Sequence, residues 1–152
     1  MPTIRKILVA VDLSSSQCGT VADYALSLAK SLGAEIMAVY IAPSSNQYVG
    51  FHIPASSIEN FTGEVFKGAE QSMKDFVKEK FSGLIAQGKV VKGYPAEEII
   101  GQAREYGADL IVMGTHGRVG LDRILFGSVA EKVVKASVVP VLTVRPEAVK
   151  VA

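Results

Sequence analysis

By residue type and spacing, Gly114, Gly117, Gly127 and Ser128 are the part of this chain best suited to chemistry. They fall in the run Met113 to Val129, MGTHGRVGLDRILFGSV, which joins an apolar strand-like stretch, Ala108 to Met113, to a helical pattern beginning at Ser128. A helix N-terminus leaves backbone N–H groups unpaired and carries the positive end of the helix dipole, so an anion placed there satisfies both. Gly114 and Gly117 bring backbone freedom and no side chain, which lets a phosphate come close to main-chain amides. Gly127 does the same at the helix entrance, where Ser128 adds a hydroxyl and an amide as donors. The spacing Gly-x2-Gly-x9-Gly-Ser reads as a phosphate cradle, against the plainer reading of glycines that only turn the chain.

The elements that must hold this cradle are legible from hydrophobic periodicity. Ile4 to Val11 is a short aliphatic run ending at Asp12, as expected of a central buried strand. Ser14, Ser15, Ser16 and Gln17 resemble a capping box, followed by a helix with Cys18, Val21, Ala25, Leu28 and Leu32 on its apolar stripe and Gly33 at its end. Glu35 to Ile41 is a second strand, Pro43 to Ser56 a polar connection, and Ser57 to Phe81 a helix with Ile58, Phe61, Val65, Ala69, Met73 and Phe76 on one face. Lys89 to Lys92 is a weak strand signal. Pro95 opens a third helix, with Ala96, Ile99, Ile100, Ala103 and Tyr106 as its stripe, and Gly107 closes it. Asp109 to Met113, a helix from Ser128 to Ala136 burying Val129, Val133 and Ala136, and a strand from Val138 to Val144 complete the pattern.

Five strands alternating with four helices predict an α/β fold: a single three-layer, doubly wound, Rossmann-like domain over residues 1–152 with a parallel sheet. With the first strand central, the order is 3-2-1-4-5 and the winding reverses between strands one and four, where such sheets bind ligands beyond the carboxyl ends of the strands. Asp12 ends one of these strands and Gly114 the other, so two separate sequence features converge on one crevice. A carboxylate at Asp12 has a plainer role too, as a cap or turn residue before the helix. Beside a triphosphate it would be repulsive without Mg2+ or a ribose hydroxyl between them.

Composition narrows the function classes. The 152 residues carry 16 basic and 15 acidic side chains, a formal charge of +1, which argues against a general nucleic-acid or membrane-surface binder. Hydrophobic residues make up 49% of the chain, fitting strands buried on both faces, yet no apolar run is long enough for a membrane span. The opening MPTIRKILVAVD has a signal-like flavour, but Asp12 cuts its apolar stretch short, and a cytoplasmic protein is expected. One cysteine excludes an intramolecular disulfide, and Cys18 on an apolar stripe reads as packing rather than as a nucleophile. The two histidines, His52 and His116, have no metal-ligand spacing to each other or to Cys18. Neither the Walker phosphate loop, the dinucleotide fingerprint nor the nucleophile elbow is present, so binding is favoured over catalysis, with slow hydrolysis of the bound ligand as the upper limit.

With these residues in view, the chain resembles the ATP-binding branch of the universal stress protein family. The family motif Gly-x2-Gly-x9-Gly-Ser/Thr is matched by Gly114, Gly117, Gly127 and Ser128, and ILVAVDLS, GYPAEEII and GSVAEKVVKASVVPVLTVRP look like family segments along nearly the whole chain. The resemblance implies that these four residues bind the phosphates and ribose of ATP, that Asp12 contacts ribose or a phosphate-bound Mg2+, and that Val129 continues the row of phosphate-binding amides. It implies an adenine pocket lined by Val39 and Met113, with Val11, His116 and Arg118 as weaker candidates. It also implies a dimeric regulatory or stress-response module that pairs through Val138 to Val144, an apolar stretch at the expected sheet edge. Two other functions share these features: an interaction scaffold in which nucleotide is incidental, and a receptor for cyclic AMP or another small ligand in the same crevice.

Overall fold

In the computed structural model, residues 1–15, 18–42, 55–115 and 127–145 are described. Nine elements follow one another as β1 Lys6–Ala10, α1 Cys18–Leu32, β2 Glu35–Ala42, α2 Ala55–Lys80, β3 Ala86–Lys92, α3 Pro95–Tyr106, β4 Leu110–Gly114, α4 Ser128–Ala136 and β5 Val141–Val144. The sheet order is β3-β2-β1-β4-β5, every pair parallel, as the alternation of elements predicts. β1 is central because it can be buried on both faces: Ile7, Leu8 and Val9 have no exposed surface at all.

Strand alternation divides the core into two layers. Ile7, Val9, Val11, Ala38 and Val112 face α1 and α2, where Val21, Ala22, Ala25, Ala29, Ala69 and Met73 cover them. Leu8, Met37, Val39, Ile111 and Met113 face α3 and α4, under Ala96, Ile99, Ala103, Ala130 and Val133. The chain therefore leaves β1 towards one face of the sheet and β4 towards the other.

Helix ends follow local chemistry. Gly33 and Gly107 sit in the left-handed region, at φ 66° and 74°, and close α1 and α3 as their positions predict. At the amino end of the sheet Asp109 Oδ2 accepts the amides of Arg5 and Lys6 at 2.9 and 3.0 Å, fastening the entry of β1 to that of β4. Beside it Tyr106 donates its hydroxyl to Glu35 at 3.3 Å, and burial together with the Glu35 charge holds the phenol well above its usual range.

Several expectations are corrected in detail. On α1 the buried face is Val21, Ala22, Ala25 and Ala29, leaving Leu32 exposed and Leu28 half-buried: small side chains, not the leucines, allow the helix to approach the sheet. On α4 Ala130 and Val133 are buried while Ala136, in the last turn, is exposed. β3 begins at Ala86, earlier than expected, because Gln87, Gly88 and Lys89 on this exposed edge carry no apolar alternation. β5 begins only at Val141: Ser137 turns the chain through its hydroxyl, which donates to the Val139 carbonyl at 2.7 Å and accepts the Val139 amide at 3.0 Å. The expected Ser16 and Gln17 cap, most of the Pro43 to Ser56 connection, and the side chains of Ile58 and Phe61 lie outside the described residues.

Candidate functional site

β1 and β4 lie side by side, Ile7 against Leu110 and Val9 against Val112, and the chain diverges to opposite faces beyond their carboxyl ends. That divergence opens the crevice expected at a reversal of strand order.

On the β4 side the backbone builds the wall. Gly114 pairs with Val144, the Thr115 amide donates to the Val144 carbonyl at 3.0 Å, and the Gly127 amide donates to the Thr115 carbonyl. These bonds hold the start of α4 directly beyond the end of β4. The first helical bond of α4 runs from the Glu131 amide to the Gly127 carbonyl at 3.0 Å, so the amides of Ser128, Val129 and Ala130 precede it. The N-cap, Gly127, has no side chain to cap them, and Ser128 is exposed. Glu131, the acidic residue of this turn, is bound to Lys135 at 2.8 Å, and that partner lowers its pKa.

Backbone freedom is not what calls for glycine at position 127. Gly127 is extended, at φ −72° and ψ 165°, a conformation open to any residue, and the left-handed glycines among the described residues are Gly33, Gly83, Gly93 and Gly107. Gly117, His116 and Arg118 lie outside the described residues.

On the β1 side Asp12 makes the plainer contact that its position allows. Its Oδ1 accepts the Ser14 amide at 3.0 Å and the Ser14 hydroxyl, while its carbonyl accepts the Ser15 amide at 2.9 Å. Cys18 packs against the α1 and α2 core, and burial plus the Asp12 charge push its thiol pKa up, as befits a packing residue.

The floor differs from expectation. Val39 and Met113 are 1% and 4% exposed and lie on the α3 and α4 face, whereas Val11, 5% exposed, lies on the other and donates its amide to the Val39 carbonyl at 2.9 Å. These side chains shape the crevice from beneath. The partly exposed apolar surface beside them belongs to Ala10 and Ile41, two residues beyond Leu8 and Val39 on the same face. Strict alternation along β1 and β2 is the signal that would have found them.

The donor set fits a phosphate, since it consists of amide N–H groups, a hydroxyl and a helix dipole. Among the described residues no group of three or more His, Cys, Asp or Glu side chains could hold a metal ion. No helix of the described residues is long and apolar enough to cross a membrane.

Known proteins share this architecture. The chain is 38% identical over 143 residues to universal stress protein MJ0531 of Methanocaldococcus jannaschii, covering 93% of this chain and 82% of that one. The solved structure of MJ0577 from the same organism superposes with a TM-score of 0.79 at 28% identity, over 97% of this chain and 99% of that one. A universal stress protein from Archaeoglobus fulgidus, solved in complex with dAMP, shares the fold with a TM-score of 0.63 at 23% identity, over 93% and 98% of the two chains. The model of the universal stress protein family matches residues 3–145, the span that holds the whole sheet, the four helices and the crevice, and the chain belongs to that family.

Proposed function

We propose that this chain is an adenine-nucleotide-binding regulatory module that carries MgATP across the carboxyl ends of β1 and β4. The observation that carries this reading is the first turn of α4: amides whose N-cap, Gly127, has no side chain, fixed beyond β4 by the bond from Gly127 to Thr115. Phosphates sit on Ser128, Val129 and Gly127, with Gly114 and Gly117 giving close access. Asp12 receives the ribose or the Mg2+, and Val39 and Met113 shape the base pocket from below. The dAMP complex of the Archaeoglobus relative supports an adenine nucleotide as the ligand class.

Calorimetric titration of MgATP into nucleotide-free protein tests the reading. Saturable binding near one site per chain, micromolar or tighter, is expected. A well-folded sample that binds nothing up to millimolar MgATP overturns it, and stronger binding of cyclic AMP in competition reassigns the crevice to a cyclic nucleotide. Turnover of many ATP per minute by homogeneous protein would replace the regulatory module with an enzyme.

The module acts as a homodimer through β5. The two sheet edges differ: β3 presents Lys89 and Lys92, whereas the β5 side exposes Val134, Val138 and Leu142 by 46%, 91% and 37%. Charged edges resist pairing and apolar ones invite it. Leu142→Glu is expected to convert dimer to monomer at tens of micromolar protein, read by light scattering, with the thermal transition of the monomer retained. A parent that is monomeric at that concentration overturns the pairing.

A further inference from the structure

The amino ends of α3 and α4 open on the same edge of the sheet, because both helices follow parallel strands and cover the same face. Their charges are opposed. The first turn of α3 carries Glu97 and Glu98, and Glu98 folds back so closely that a Cβ on Gly93 would meet its Cγ at 2.8 Å and its Oε1 at 2.9 Å. The first turn of α4 offers amides behind an N-cap that has no side chain, and an acid already paired with Lys135. An anion is therefore drawn to α4 and repelled from α3, which gives a bound nucleotide a direction: phosphates at α4, the uncharged base towards α3.

Tyr94 stands at that second end. It is the N-cap of α3, its carbonyl accepts the Glu98 amide at 2.9 Å, and it is locked between Gly93, at φ 146°, and Pro95 in the first helical turn. Its side chain makes no capping bond and remains 62% exposed, although its backbone is among the most constrained at this edge. Tyr94 follows Val91 of β3 by three residues, and on the α3 and α4 face of the sheet Ile41, paired with Val91, and Ala10 are apolar and only partly buried. Strand spacing of roughly 4.8 Å places β3 about 14 Å from β4, a span that a nucleotide can bridge.

We propose that Tyr94 is a further nucleotide-contacting residue, an aromatic wall on which the base stacks above Ile41 and Ala10. The inference rests on the nucleotide reading given above. A ring held on a fixed cap loses little freedom on binding, so stacking there is efficient.

Titration of MgATP and of magnesium tripolyphosphate into the parent, Tyr94→Ala and Tyr94→Phe separates the two ideas. Tyr94→Ala is expected to bind MgATP about tenfold more weakly, with tripolyphosphate unaffected, and Tyr94→Phe to bind like the parent. The chain has no tryptophan, so tyrosine emission gives a second readout: MgATP quenches it, and Tyr94→Phe loses part of the quench while keeping affinity. Parent-like MgATP binding by Tyr94→Ala, or equal quenching in parent and Tyr94→Phe, overturns the inference and leaves the nucleotide reading standing. A parent that binds no MgATP overturns both.

Discussion

Gly127→Val is expected to weaken MgATP binding by about 10- to 100-fold while the protein stays folded and keeps its oligomeric state. The magnitude corresponds to losing one hydrogen bond to a charged group, about 1.5–3 kcal/mol. The structure separates the two reasons for which a glycine is used. At φ −72° and ψ 165° its backbone is one that a β-branched residue adopts without strain, so no local fold requirement forbids valine. The Gly127 amide is already spent on the Thr115 carbonyl and its own carbonyl on the Glu131 amide; both bonds survive a change of side chain. Loss of N-cap preference costs a fraction of a kcal/mol relative to glycine. What valine adds is a branched side chain beside the amides of Ser128 and Val129, in the space assigned to phosphate. Calorimetry of the variant, with thermal unfolding as the control, reads the result. Parent-like affinity in Gly127→Val would remove the cradle from this end of α4.

Much of this site could be read before any coordinates, for a physical reason. Parallel strands buried on both faces must be aliphatic, so β1, β2 and β4 announce themselves, and their alternation with amphipathic helices leaves one order of strands with β1 at the centre. The crevice follows from that order, and Asp12, Gly114, Gly127 and Ser128 reach its edge because they end strands or begin helices. Sequence periodicity does less well where burial is one-sided. Ala86, Gln87 and Gly88 gave no signal of β3, since an exposed edge strand has little apolar surface to declare. α1 shows a second limit: Leu28 and Leu32 fit the stripe as well as Ala22 and Ala29 do, and only the close approach of helix to sheet decides for the smaller pair. Ala10 and Ile41 were missed because an alanine or an isoleucine near a strand end looks the same whether covered by a helix or left open.

Gly88→Val makes the same point about close approach, with the largest expected cost to stability. By propensity alone the change should help, since glycine weakens a strand and valine favours one, by up to about 1 kcal/mol. Packing reverses the sign. Gly88 pairs with Ala38 on β2, and α2 lies directly over it: a Cβ built there meets Met73 Cγ at 2.4 Å, Met73 Sδ at 2.9 Å and Val77 Cγ2 at 2.9 Å. Met73 is flexible in principle, but it is 2% exposed in the core that α2 shares with β1 and β2, so it has nowhere to swing. Either the methionine leaves its rotamer or α2 lifts from β3, and overpacking of this kind costs about 1–3 kcal/mol. For a domain of this size the midpoint of thermal unfolding should fall by roughly 2–4 °C per kcal/mol. Met73→Ala alone also destabilises, by leaving a cavity, but combined with Gly88→Val the losses should be less than additive, because the shortened side chain vacates the space that valine needs. Strict additivity in that cycle, or a raised midpoint for Gly88→Val, would mean that α2 does not press on β3 at this position.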